Sequence, residues 1–132
     1  MENSTKRLLI LIAGPYRSGT GDDPQKMAEN LRHLEEASWP IFEAGHIPMI
    51  GEWVALPIWR QAGGQAVGDT LYDAILHPTA GRLIERCDAV LRLSGSSAGA
   101  DNDVRLARER GIPVYFDIAE IPTYQDKTSI PS

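Results

Sequence analysis

The sequence predicts a doubly wound α/β domain built on a parallel sheet, and three observations predict it. A continuous apolar run, Leu8-Leu9-Ile10-Leu11-Ile12-Ala13, lies near the N-terminus and ends in Gly14-Pro15. A strand buried on both faces reads as such a run, whereas a half-exposed strand alternates. Three further short apolar segments follow, at His46–Ile50, Ala89–Leu93 and Ile112–Ile118. Between them lie stretches whose apolar residues recur at steps of three and four, the spacing of amphipathic helices. Strands that alternate with helices need right-handed crossovers, and so a parallel sheet covered on both faces.

The first helix is predicted from Pro24 to about Ala44, with Met27, Leu31, Leu34, Ser38, Ile41 and Phe42 along one side. Asp22 and Asp23 suit its cap, Pro24 its first turn and Gly45 a left-handed stop. Pro40 lies inside the pattern and removes a backbone donor, so the helix is expected to kink there or lose its last turn. His46–Ile50 then forms strand two. Pro48 places it at a sheet edge, which suits the flavodoxin-like (Rossmann-like) strand order 2-1-3-4.

From Gly51 to Gly68, with Trp53, Pro57, Trp59 and Gly63-Gly64, the pattern is that of a broken helix followed by a mobile loop, of a length often used as a lid. A helix over Asp69–Leu76 is expected to stop at Pro78, which starts another running through Leu83 and Ile84 to Arg86. After strand three, Ser94–Gly99 forms a loop of small residues. A helix marked by Ala100, Val104 and Ala107 follows and ends at Gly111, and Ile112–Ile118 supplies strand four. Ala119–Ser132 is polar and contains prolines: a tail, or an arm laid on a neighbouring subunit.

The 132 residues, 42% hydrophobic, make enough core for a single domain spanning 1–132 and argue against two. A net charge of −5 leaves no basic excess for a nucleic-acid backbone, although helix N-termini and local arginines still suit a small anion. The single cysteine, Cys87, excludes an intramolecular disulfide and a thiolate zinc cluster, and fits a reducing compartment. The polar start and the short run at Leu8–Ala13 are neither a signal peptide nor a membrane span, so a soluble cytoplasmic protein is expected.

Open parallel sheets bind ligands beyond the carboxyl ends of their strands, here the loops Ala13–Gly19 and Ser94–Ala100. Neither loop has Walker or dinucleotide spacing, so neither names a cofactor. Their glycines and hydroxyls suit a phosphate or sugar, and they equally suit tight βα turns. Gly14, Arg17, Ser94, Gly95, Ser97, Gly99 and Ala100 are the candidate binding residues. Arg17 fits a phosphate partner or a solvated surface residue. Trp53 and Trp59 fit base stacking or packing, His33 fits the solvated face of the first helix, and His46 opens a strand at the far end of the sheet.

Four segments together carry a resemblance: Ile12-Ala13-Gly14-Pro15-Tyr16, Glu43-Ala44-Gly45-His46-Ile47-Pro48, Cys87-Asp88-Ala89-Val90-Leu91, and Ser97, Gly99, Ala100, Asp103 and Ala107 before Gly111-Ile112-Pro113-Val114. Over most of residues 8–118 the chain resembles the nucleoside 2-deoxyribosyltransferase-like superfamily, and most resembles a branch whose function is not established. The resemblance implies a flavodoxin-like fold and chemistry at the N-glycosidic bond of a nucleoside or nucleotide, as hydrolase or deoxyribosyltransferase. It also implies active sites often completed by a neighbouring subunit, hence a homo-oligomer; no cofactor and no metal are expected.

By the same resemblance Asp103 stands where the family carries a nucleophilic glutamate. Tyr16 belongs to the catalytic centre, Gly14 and Tyr16 to the loop enclosing sugar and base, and Asp88 to an aspartate opening strand three. A carboxylate suits that role, because breaking the bond builds positive charge on the sugar. Two departures stand out. Asp103 is one methylene shorter than glutamate, and where the family has an upstream acid this chain reads His77-Pro78-Thr79-Ala80-Gly81, with Asp69 and Asp73 as substitutes only if the backbone shifts. Asp103 also suits a dipole partner in the first turn of its helix. The alternative function is a non-catalytic nucleotide-binding or sensing module on the same fold; a flavin binder is less supported, because the first loop lacks a hydroxyl-rich run.

Overall fold

The computed structural model describes residues 3–125; the part of the expected tail at 126–132 lies outside them. In chain order the elements are β1 (Asn3–Ser4), β2 (Leu9–Ala13), α1 (Pro24–Glu36), α2 (Ser38–Glu43), β3 (Ile47–Ile50), α3 (Gly51–Gln61), α4 (Thr70–Ile84), β4 (Ala89–Arg92), α5 (Ala98–Glu109), β5 (Val114–Tyr115), a 3₁₀ turn (Ile118–Glu120) and β6 (Thr123–Tyr124). The main sheet runs β3-β2-β4-β5, all parallel. Counted over its own four strands this is the order 2-1-3-4.

The register places Leu11 between Met49 and Val90, at the centre of the sheet. Side chains alternate across a strand. Ile10 and Ile12 therefore pack with Leu34, Ala37 and Ile41 of the α1–α2 side, while Leu11 and Ala13 pack with Ile84, Ala100 and Ala107 of α4 and α5. Both faces of β2 are covered, which is why its sequence does not alternate. Pro48 sits in β3, at the sheet edge, where its missing N–H leaves no ladder bond unmade.

The expected break near Pro40 occurs at Ala37, which ends α1 and precedes α2. Pro40 falls in the first turn of α2, where backbone N–H groups have no intrahelical partner. At Pro57 and Pro78 the expected breaks do not occur: α3 and α4 run through them. Each proline removes one bond from its ladder, but buried residues on both sides hold the helix in place. These are Ala55 and Trp59 around Pro57, and Tyr72 and Thr79 around Pro78. The two helices meet through Trp59 and Tyr72, whose rings lie edge to face at 6.2 Å. Gly64 lies directly against the Trp59 ring, so the 62–69 connection folds back on α3 instead of standing away from it.

Strand four shortens to Val114–Tyr115, because the Asp117 carboxylate accepts from the Ala119 amide at 2.8 Å and starts the 3₁₀ turn. The segment expected as tail is fold as far as Gln125. Ile121 is buried in the α1–α2 core, and Thr123–Tyr124 pairs in parallel with Asn3–Ser4. His46 holds this segment down. Its Nδ1 accepts from the Leu8 amide at 3.0 Å, so Nε2 carries the proton and donates to the Pro122 carbonyl. Arg7 lies 4.1 Å over the Tyr124 ring and donates to the Gly45 carbonyl. Asp88 is likewise structural: it accepts from the Leu9 amide and the Lys6 ammonium, which outweigh burial and leave its carboxyl below the usual range.

Candidate functional site

A cleft of about 120 Å³ opens beyond the carboxyl ends of β2, β3 and β4. Its walls are the loop from Gly14 to Ser18, the first residues of α3, the inner side of α4 from Tyr72 to Ala80, and the start of α5. Typical ligand sites run to roughly 300–1,000 Å³, so this one encloses a fragment the size of a sugar or base and leaves the rest of a ligand in its mouth.

Gly14 admits the first wall. A Cβ there would stand 2.8 Å from Leu34 Cδ2 and 3.3 Å from Leu93 Cβ, and Leu34 is fully buried with no room to swing. Asn30 donates to the Tyr16 carbonyl at 2.8 Å and fixes the loop that follows. The Tyr16 side chain lines the cleft, and burial raises the pKa of its hydroxyl, with the Glu52 charge adding and Arg60 opposing. Arg17 also lines the cleft but is held by Asp22, at 2.6 and 3.2 Å, with Asp73 at 3.8 Å.

At the second loop, Ser97 caps α5, its Oγ accepting from the Ala100 amide at 3.1 Å. The helix therefore starts at Ala98, and Asp103 falls in its second turn, not its first. A dipole or capping role for Asp103 is thereby displaced by Ser97. Gly99 and Ala100 line the cleft one turn before Asp103 on the same side of α5, and their small size leaves the carboxyl open to it. Ser94 and Gly95, expected in the site, are exposed and outside its lining. Gly95 has φ +116 and packs against Pro15, and its carbonyl accepts from Arg92, so packing explains it. Arg92 also bonds the Leu93 carbonyl and Asp101, tying the loop to α5.

Two acids, Glu52 and Asp103, line the cleft together. Burial pushes the Asp103 carboxyl up to about 7; the Glu52 charge raises it further and Arg92 opposes. Burial likewise raises Glu52, against its own backbone amide at the start of α3. No hydrogen bond or ion pair among the described residues holds the Asp103 carboxyl. Burial thus favours the protonated form of both carboxyls, and the Glu52 charge adds to this at Asp103, a setting that suits general acid–base work.

Glu52 was not among the residues expected in the site, although a signal for it existed: it follows the carboxyl end of strand two directly, at the same sheet edge as the other two loops. Asp73 stands exposed at the cleft wall, whereas Asp69 is committed to capping α4 and to the Trp59 indole. Neither tryptophan of α3 faces a ligand: Trp59 is buried, and Trp53 donates outward to Glu35. Tyr72 enters the site through the packing of α4 on α3, which no local pattern reveals. Cys87 is buried with its thiol pushed up to about 11 by burial, so it is no nucleophile.

Among the described residues, no group of three or more His, Cys, Asp or Glu side chains is placed to hold a metal ion, and no helix is long and apolar enough to cross a membrane. No family model and no curated protein matches the chain.

Proposed function

We propose that this protein cleaves or transfers the N-glycosidic bond of a nucleoside or nucleotide, using Asp103 as nucleophile and Glu52 as its acid–base partner. The observation that carries the reading is that two carboxyls line one cleft, Asp103 raised to about 7 by burial with the Glu52 charge adding, and Glu52 raised by burial. The resemblance of the strand-end motifs to the nucleoside 2-deoxyribosyltransferase-like superfamily supports it.

An Asp103 oxygen attacks C1′ while the C1′–N bond breaks with its electron pair passing to the base, and Glu52 gives that nitrogen its proton. Water, or the nitrogen of a second base, then attacks C1′, the C1′–Oδ bond breaks, and Glu52 takes the proton of the incoming group. In this reading the Tyr16 hydroxyl donates to the bound substrate, and Gly14, Ser97, Gly99 and Ala100 shape the sugar pocket. The test is release of free base from ribo- and 2′-deoxynucleosides and their monophosphates, followed by chromatography. Turnover supports the reading; tight binding of these ligands without release would make the chain a sensing module.

We further propose that the protein works in the cytoplasm and as a homo-oligomer. Trp39 and Phe42 stack at 5.9 Å on α2, each 63% exposed, beside the exposed Ile47 of the edge strand. Light scattering is expected to give a mass above the 14.5 kDa of one chain, returning to it when both aromatics become Glu. A wild type that stays at one chain's mass at high concentration would refute this.

A further inference from the structure

Besides Glu52 and Asp103, the cleft is lined by a tyrosine whose buried hydroxyl has no partner among the described residues and by a cation that is already engaged. Tyr72 is 2% exposed, and no group among the described residues bonds its hydroxyl. The ring cannot turn to find one. It packs edge-on against Trp59, and the Tyr72 amide and the Trp59 indole both bond the same Asp69 oxygen, at 2.7 and 3.0 Å. The ionisable groups acting on this hydroxyl are Glu52, Tyr16, Arg17 and Asp73, all of them cleft side chains. A phenylalanine would pack as well without burying an unpaired hydroxyl, which opposes folding.

The charges around this hydroxyl define what it meets. Glu52, Asp73 and Asp103 line the cleft, and its one arginine, Arg17, is held by Asp22 and Asp73. A phosphate dianion entering here would face carboxylates and find its cation engaged. Resting on the glycosidic reading above, we infer that the cleft selects the uncharged nucleoside over its 5′-monophosphate, with the Tyr72 hydroxyl bonding a polar atom of the sugar or base.

Calorimetry on the full chain tests this with adenosine, uridine, their 2′-deoxy forms and the matching 5′-monophosphates, alongside thermal melts. Wild type is expected to bind a nucleoside at least about tenfold more tightly than its monophosphate. Tyr72→Phe should melt no lower than wild type without ligand, yet bind the nucleoside roughly 3- to 10-fold more weakly, the worth of one net hydrogen bond. Asp22 has φ +61, which asparagine tolerates, so Asp22→Asn should fold normally, remove one of the two charges that hold Arg17, leaving Asp73, and improve binding of the monophosphate relative to the nucleoside.

Unchanged nucleoside affinity in Tyr72→Phe, a lower melting point for that variant, or a wild-type preference for the monophosphate would each overturn the inference. If wild type binds neither class, the inference and the glycosidic reading fall together. If nucleosides bind and no base is released, only the glycosidic reading falls, and the Tyr72→Phe and phosphate comparisons decide this inference.

Discussion

Asp103→Asn is expected to be more stable than wild type at alkaline pH, equal to it in acid, and at the same time without activity. Burial is the first cause of the rise of the Asp103 carboxyl from 3.8 to about 7, so the folded protein holds a proton there that the unfolded chain has released. A carboxyl raised on folding favours the folded state fully below its unfolded pKa, and this contribution is lost as pH rises through the folded value. Wild type therefore loses stability between about pH 4 and about pH 7, and the asparagine variant, which does not ionise, keeps it. At roughly 1.4 kcal/mol per unit, the difference between them approaches about 4 kcal/mol at its upper limit. Urea melts of both proteins across this range measure it, and curves that stay parallel would mean that the carboxyl is not desolvated.

On the proposed mechanism the same substitution removes the atom that attacks C1′. Loss of a nucleophile costs on the order of 10⁴-fold or more in turnover, so base release should fall to background, while nucleoside affinity stays within about tenfold. Asp103→Glu keeps a carboxylate in the cleft and should retain activity. Equal base release by wild type, Asp103→Asn and Asp103→Glu would show that the carboxyl takes no part. A variant both more stable and inactive is the signature of a group held in an unfavourable place for its chemistry.

The parallel sheet was legible because its central strand is buried on both faces, and a run such as Leu8–Ala13 has few other readings. Pro48 marked the edge strand for an equally local reason. Pro57 and Pro78 misled because the rule they invoke is local and the outcome was not: Trp59 and Tyr72 pack on one another across α3 and α4, and both helices continue through their prolines. The C-terminal segment misled by composition. Its fold depends on Ile121 entering the core and on His46 reaching Pro122, contacts between residues far apart in sequence that a polar, proline-containing stretch does not announce.

The site divides along the same line. Gly14, Tyr16, Ser97, Gly99, Ala100 and Asp103 follow from the rule that ligands sit at strand carboxyl ends, once strands one and three are recognised. Ser94 and Gly95 satisfied the rule in sequence but turn outward, since Arg92 and Pro15 hold that stretch of loop. Glu52 carries no loop signal in the sequence, because β3 passes into α3 with no loop at all. Glu52 is thus a candidate for the acid that the resemblance leads one to expect near residues 77–81, supplied by a different element and reached only by folding.

Glu52→Gln is expected to lower base release from ordinary nucleosides by roughly 10²- to 10⁴-fold, the usual contribution of a positioned acid. On the proposed mechanism the active form of the pair carries one proton, and the value of about 7 at Asp103, set by burial and then by the Glu52 charge, belongs to loss of that shared proton, which the reacting form holds on Glu52. Wild-type activity should therefore decline as pH rises through about 7. Removing the Glu52 charge lets Asp103 ionise at lower pH, although burial, the larger cause, still holds it above the ordinary carboxylate range. The pH dependence of stability in Glu52→Gln should shift downward accordingly. Leaving-group chemistry separates the two acids. In 7-methylguanosine the base already carries a positive charge and departs without a proton, so Glu52→Gln should cleave it at close to the wild-type rate while remaining impaired on guanosine. Asp103→Asn should be impaired on both, because the sugar cation still needs its nucleophile. If Glu52→Gln lost both substrates equally, Glu52 would be acting on the shape or charge of the cleft and not as the proton donor.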